Sequence, residues 1–208
     1  MTNSLFDDLD VSRETMERLE LHVALLKKWS PAINLVSRAT LADAWQRHVL
    51  DSAQLWPLMP DDTKTIVDLG SGAGFPGLVL AMLARERVEP FQVYLVESDR
   101  RKATFLREVI RETGAMATVL AERAESLDMT ADVVTARAFT ALDPLLDMVH
   151  PLIGRDGIAL LHKGARYESE LTGAMENWHM DVEQTRSRID PASVILRIAR
   201  LERRQDRQ

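Results

Sequence analysis

Val67-Asp68-Leu69-Gly70-Ser71-Gly72-Ala73-Gly74-Phe75-Pro76-Gly77 holds four of the chain's nine glycines within eight residues. Glycine accepts positive φ and lets a ligand approach the main chain closely. The run therefore marks the expected place of a small molecule. Just upstream, Thr65-Ile66-Val67-Asp68-Leu69 reads as a short buried strand. Downstream, Leu78 to Ala84 is apolar nearly all round and reads as a helix buried against a sheet.

The pattern continues outward from this strand–loop–helix unit. Phe91 to Val96 reads as a second strand. Ala103 to Thr113 reads as a helix, with Phe105/Val109 and Leu106/Ile110 one turn apart and Gly114 as its cap. Thr118 to Leu120 and Asp132 to Ala136 are short strands, Leu142 to Ile153 is helical, and Gly157 to Leu161 is another strand. Such alternation predicts an α/β fold with a mostly parallel sheet covered on both faces. Val182 to Arg188 and Ser193 to Leu201 read as consecutive strands with no helix between, an antiparallel pair closing one edge. Before the sheet, Met16, Leu19, Val23 and Leu26 make one apolar stripe on a helix from Ser12 to Trp29, stopped by Pro31. A second helical region spans Leu41 to Leu58, closed by Pro57 and Pro60. The expected organisation is an N-terminal helical extension over 1–60 and a core over 61–208.

Composition sets the frame. A chain of 208 residues with 46% hydrophobic content suffices for one domain with a modest extension. No stretch approaches the roughly 20 apolar residues of a membrane helix. The acidic start Met1-Thr2-Asn3-Ser4-Leu5-Phe6-Asp7-Asp8 lacks the pattern of a signal peptide. There are no cysteines, which removes thiolate nucleophiles and cysteine-based metal sites. A cytoplasmic, membrane-free monomer is expected. The net charge of -6 argues against a general nucleic-acid binder, yet Arg186 to Gln208 is net +4 and could track a phosphate backbone.

In open α/β sheets, ligands bind outside the carboxyl ends of the strands. Those ends carry Asp68 with the glycine loop, then Glu97, Arg137 and the pair His162-Lys163. A carboxylate at the position of Glu97 accepts hydrogen bonds from the ribose hydroxyls of an adenosine. Gly72, Gly74 and Gly77 match G-x-G-x-x-G, a pattern that by itself fits nicotinamide and S-adenosylmethionine sites alike. Two details shift the balance. Pro76, placed where the helix starts, lacks the N–H that a pyrophosphate wants there. Asp68 puts a negative charge beside the loop, which repels a diphosphate and suits the cationic amino-acid portion of S-adenosylmethionine.

Several motifs in order carry a resemblance. They are Asn34-Leu35-Val36-Ser37, Arg47-His48-Val49-Leu50-Asp51-Ser52, the glycine run with its trailing Phe75-Pro76-Gly77, Glu97, Arg101-Lys102-x-x-Phe105-Leu106, Arg123-Ala124-Glu125, Arg137-Ala138-Phe139 and Lys163-Gly164. Over roughly residues 30–200 the chain resembles the glucose-inhibited division protein B family, the ribosomal RNA small subunit methyltransferase G. The resemblance implies a Rossmann-like class I methyltransferase fold with a helical N-terminal extension. It also implies methyl transfer from S-adenosylmethionine to N7 of one guanine in 16S ribosomal RNA, naked or in the small subunit. By motif position the cofactor would meet Gly70, Phe75, Ala124, Glu125 and Arg137, beside Asp68, Gly72 and Glu97 from the strand-end reading. The basic C-terminus maps onto no family motif.

No catalytic acid or base is assigned. Guanine N7 carries an in-plane lone pair and no proton, so alignment of the reactants is the expected task. No H-E-x-x-H or other metal spacing is present. Arg47 and His48 are expected to bridge the helical extension to the cofactor loop or the RNA, with Asp51 and Ser52 in structural roles. Arg101, Lys102 and Lys163 are expected to face RNA. Arg100, Arg101 and Lys102 open a helix, where cations are disfavoured unless a partner compensates. The alternatives are a methyltransferase of the same fold with a small-molecule or protein substrate, or a nicotinamide-binding oxidoreductase.

Overall fold

The computed structural model describes Phe6, Leu9 and residues 11–204. Seven strands form one sheet in the order β3-β2-β1-β4-β5-β7-β6. They are β1 (Thr65–Leu69), β2 (Gln92–Val96), β3 (Ala117–Leu120), β4 (Ala131–Arg137), β5 (Ile153–Lys163), β6 (Trp178–Arg186) and β7 (Val194–Arg203). The first five run parallel. β7 is antiparallel to both β5 and β6, which places the expected antiparallel pair at one edge. The order reverses at β1, whose neighbours are β2 and β4. The glycine run leaves β1 at that switch point, the usual ligand crevice of open α/β sheets.

Each face of the sheet has its own core. Helix α1 (Arg13–Trp29) is capped by the Ser12 side chain, which accepts the Thr15 N–H. Its stripe, Leu19, Val23 and Leu26, packs with Leu78, Leu80 and Phe105 in one buried cluster. Those partners lie on the two helices that follow β1 and β2 (labelled below), and Ile66 and Val93 of the sheet share the same cluster. The opposite face buries Val67, Val134 and Leu161 against Leu142, Leu146 and Trp178. Residues before 60 thus build part of the main core rather than packing only on themselves.

Four helical boundaries differ from the expectation, each for a local reason. The single helix over 41–58 is broken into α2 (Arg38–Ala42), a π-helical turn Trp45–Leu50, α3 (Asp51–Ala53) and a 3-10 turn Trp56–Leu58. A π turn is wider than an α turn and recurs at functional sites; here it contains Arg47 and His48. The helix α4 begins at Gly77, ends at Leu83, and has Pro76 as its N-cap, so Pro76 precedes the first turn. Helix α5 (Arg100–Thr113) starts after Asp99, whose side chain accepts the Arg101 and Lys102 N–H groups. That cap answers the cation-rich first turn. Helix α6 (Leu142–Val149) stops before the Pro151 turn, and Ile153 already belongs to β5. Helix α7 (Tyr167–Asn177) has no clear periodicity because only Leu171 and Ala174 are buried.

Three of the C-terminal arginines lie on β7 and pair with acids. Arg197 pairs with Glu183 at 3.2 Å, Arg200 with Asp181, and Arg203 with Asp147. Arg203 also lies over the Trp178 ring at 5.2 Å. The three arginines of β7 are therefore each paired locally with an acid of β6 or α6. Residues 205–208 lie outside the described residues. Among the described residues, no helix is long and apolar enough to cross a membrane.

Candidate active site

The glycine loop is held by groups that leave little of it free. Asp68 is fully buried. Its Oδ2 accepts the Gly77 N–H at 3.2 Å, and its Oδ1 accepts the Thr135 hydroxyl at 2.8 Å. Parallel register sets Asp68 directly opposite Thr135, which is why the two side chains meet. Gly77 is required there: a Cβ would stand 2.7 Å from Asp68 Oδ2. Burial pushes the Asp68 carboxyl up to about 6, against the hydrogen bonds from Thr135, Ser71 and Gly77 that lower it. The next helical N–H, of Leu78, is taken by the Gly74 carbonyl at 2.8 Å. The start of α4 is thus closed by protein groups and offers no cradle to a diphosphate, which needs those N–H groups.

The rest of the loop is pinned from three directions. Glu97 at the end of β2 accepts the Gly72 N–H at 2.9 Å and the Asp99 N–H at 2.8 Å. Ser71 donates its N–H to the Val96 carbonyl and its hydroxyl to the Asp68 carbonyl. From α1, fully buried His22 donates Nε2–H to the Ala73 carbonyl at 2.9 Å. Its ring stacks on Phe75, centroids 4.7 Å apart. Burial lowers the His22 pKa to about 4, so the imidazole is neutral at ordinary pH. Sequence reasoning passed over His22 and Thr135. The signal was a polar residue inside an apolar stripe in the first case and the strand register in the second.

Arg137, at the end of β4, is held on several sides. Its Nη1 donates to the Arg47 carbonyl at 3.0 Å and to Asp51 Oδ2 at 3.2 Å, and its Nη2 donates to His48 Nδ1 at 2.9 Å. The guanidinium carbon also stands 5.3 Å from the Phe75 ring centroid. His48 stacks on Phe75, centroids 5.0 Å apart. Because His48 Nδ1 accepts, the neutral ring carries its proton on Nε2. Burial, and next the Arg137 charge, lower its pKa to about 4. His162 donates Nε2–H to the Asp51 carbonyl at 3.0 Å, and burial lowers its pKa as well. The Arg47-His48-x-x-Asp51-Ser52 motif is therefore a set of acceptors wrapped around one guanidinium. Ser52 Oγ–H closes the turn by donating to the His48 carbonyl at 2.6 Å.

These groups border a cavity of about 890 Å3. That lies toward the upper end of the roughly 300–1,000 Å3 of small-molecule clefts. Of the residues singled out from sequence, Gly70, Gly72, Phe75, Arg137, Arg47, His48, Lys102 and Lys163 border it. Ala124 and Glu125 form a 3-10 turn after β3, on the Glu97 side of the glycine loop and outside this cavity. Two assignments change. Asp68 is walled off beneath the loop, so its carboxylate braces the backbone and does not face a ligand. Lys163 is buried, bonded to the Thr140 carbonyl at 2.8 Å and to Glu170 at 2.5 Å, which leaves it no free phosphate-binding head. Arg101 is exposed and pairs loosely with Asp99 at 3.7 Å, away from the cavity. Among the described residues no cluster of metal-ligating side chains occurs.

Residues 15–190 match the family model described as rRNA small subunit methyltransferase G. The chain belongs to this family. A relative from Rhodospirillum centenum named ribosomal RNA small subunit methyltransferase G is 53% identical over 92% of this chain and 87% of its own length. One of the same name from Parvibaculum lavamentivorans is 50% identical over 91% and 84%. Among solved structures, the magnesium protoporphyrin IX methyltransferase of Synechocystis PCC 6803 with bound SAM superposes with TM-score 0.59 at 14% identity. The superposition covers 86% of this chain and 97% of that one. At that identity the likeness shows the class I methyltransferase fold alone, the fold that the sheet order and the loop had indicated.

The buried Asp68 carboxylate yields a pH test. Its folded pKa is about 6 against an ordinary value of 3.8. Between those values the native state holds more protons than the unfolded one, so stability falls as pH rises. Asp68→Asn keeps an oxygen for Gly77 and removes the charge. Relative to wild type, the variant should gain about 2–3 kcal/mol between pH 4 and pH 6.5. Urea midpoints at the two pH values measure this; an unchanging difference would contradict the assignment.

Proposed function

We propose that the protein transfers a methyl group from S-adenosylmethionine to N7 of a guanine in 16S ribosomal RNA, working in the cytoplasm as a monomer. As a member of its family it is an S-adenosylmethionine-dependent methyltransferase of small-subunit ribosomal RNA. The observation that carries the ligand class is the Asp68–Gly77 bond at the start of α4. A buried carboxylate occupies the place where a dinucleotide's phosphates would need free N–H groups, which disfavours the oxidoreductase reading.

The residues present fit an adenosyl sulfonium. Gly72 has φ +55, and the nearest atom to a Cβ there would be the Gly70 carbonyl oxygen at 3.6 Å, so the loop leaves room above its main chain. Glu97 has one lone pair per carboxylate oxygen left after the Gly72 and Asp99 N–H bonds, enough to receive ribose hydroxyls. Ala124 and Glu125 would flank the adenine on that side. Gly70, Phe75 and Arg137 would border the methionine portion on the other. When bound, S-adenosylmethionine supplies an electrophilic methyl on a cationic sulfur.

The chain's own work is positioning. N7 of guanine has no proton to lose, and the two imidazoles nearest Arg137 are held neutral by burial, each with one ring nitrogen in an internal hydrogen bond. They keep the guanidinium and the loop in one geometry instead of moving a proton. Correct placement of a nucleophile and an electrophile by itself supplies several orders of magnitude in rate.

RNA would be drawn to the mouth by Lys102, Arg47 and Arg166, which border the cavity; Arg47 and Arg166 are exposed, and Lys102 is half-buried. Removing one cation from a phosphate should lower the slope of log affinity against log salt by about 0.7 for a single strand. Lys102→Glu with Arg166→Glu should therefore flatten the slope by at least about 1.4. S-adenosylhomocysteine affinity should stay within about twofold, since neither cation belongs to the loop. An unchanged salt slope in filter binding would remove these residues from the RNA path.

The reading as a whole is tested by nucleoside analysis of 16S RNA from a strain lacking this gene. Loss of 7-methylguanosine, restored by the wild-type gene, is expected; retention of 7-methylguanosine would falsify it.

A further inference from the structure

Phe139 is the one aromatic among the large hydrophobic side chains exposed on the described surface, with 40% of its area in solvent. It borders the cavity together with Arg137 and Gly70. Its ring packs against the bare Cα of Gly70, where a Cβ would stand 2.6 Å from Phe139 Cε2. The turn that puts it there is not relaxed. Ala138 has φ 52, a left-handed conformation that costs any residue with a Cβ. Both flanks are anchored: Arg137 by its three acceptors, and Thr140 by Lys163, which donates to its carbonyl at 2.8 Å. Lys163 in turn pairs with Glu170, and Glu170 accepts the Leu142 N–H at 2.9 Å. A buried ion pair and a strained alanine thus present an apolar ring to solvent, beside the loop that would hold the methyl donor.

We propose that Phe139 is the platform on which the target guanine stacks during methyl transfer. The inference rests on the guanine N7 reading above. A base must leave its helical stack before an enzyme can reach its ring atoms, and unstacked bases in RNA are received on aromatic faces. The reaction adds a second reason. The N7 lone pair forms the new N–C bond while the C–S bond breaks with its electrons going to sulfur. The positive charge therefore leaves the sulfonium and arrives on the purine, and no proton moves. A ring face attracts a cation through its quadrupole. Phe139 thus favours the charge distribution of the product side as well as the approach of the neutral base. This gives Lys163 and Glu170 a role that free phosphate binding does not: they hold the turn that aims the ring.

Phe139→Leu and Phe139→Trp separate the possibilities, with unmodified 16S RNA and S-adenosylhomocysteine as probes. Loss of one base–aromatic stack should lower kcat/KM for RNA about 10- to 100-fold in Phe139→Leu and weaken RNA binding in the same direction. Phe139→Trp should restore both to within about threefold. S-adenosylhomocysteine affinity, by calorimetry, should stay within about twofold in both variants. Wild-type kcat/KM in Phe139→Leu would overturn the proposal. So would a loss of S-adenosylhomocysteine affinity by the same factor as kcat/KM, which would make the ring a wall of the cofactor site. Wild-type product methylated at an atom other than guanine N7 would contradict the function reading instead, and that is scored on wild type alone.

Discussion

One guanidinium joins the parts of this molecule that must act together. Arg137 stands on the last residue of β4, beside Phe75 of the glycine loop, and its donors end on the 47–51 segment of the helical region. The bonds are directional and planar, a geometry that lysine does not reproduce. The π turn at 45–50 belongs to this arrangement. A main-chain carbonyl, an imidazole nitrogen and a carboxylate come to one place there, from positions 47, 48 and 51 on one side of the helical segment. The extension before residue 60 is in this sense part of the site, and its α1 contributes a further fixing point through His22.

The electrostatics of the site are arranged to keep charge where it is useful. Asp68 sits beneath the loop, satisfied by Thr135 and Gly77, and closes the start of α4 to anions. His22, His48 and His162 are all held below their ordinary pKa by burial, so no extra positive charge competes with a sulfonium near Arg137. The exposed cations are set farther out, at the mouth, where they would meet phosphates. A reaction that only needs alignment suits such a site, because rigid neutral contacts fix positions without demanding proton traffic.

Much of this was legible in the sequence. The alternation of apolar strands and helices, the Asp68-to-Gly77 loop and the strand-end residues Glu97 and Arg137 follow from patterns that each need only local spacing. The three-dimensional partners did not follow. Lys163 reads as a free cation because Glu170 lies on α7, a helix whose burial rests on Leu171 and Ala174 alone. Asp68 reads as a ligand-facing charge because its depth depends on β4 lying in register beside β1. The arginines of β7 read as a basic patch because their acids sit across a hairpin and on α6. His22 reads as a polar interruption until the loop carbonyl above it is in view. In each case the missing information is a long-range pairing, which periodicity does not carry.

The Arg137 clamp would build one wall of the cofactor site, so its acceptors should matter only through it. A double-mutant cycle with Asp51→Asn and Arg137→Lys, read by calorimetric titration of S-adenosylhomocysteine, measures that coupling most directly. Asp51→Asn should weaken binding about tenfold in the wild-type background and less than about twofold once Arg137 is lysine. Wild-type affinity in Asp51→Asn, or an equal loss in both backgrounds, would contradict the claim.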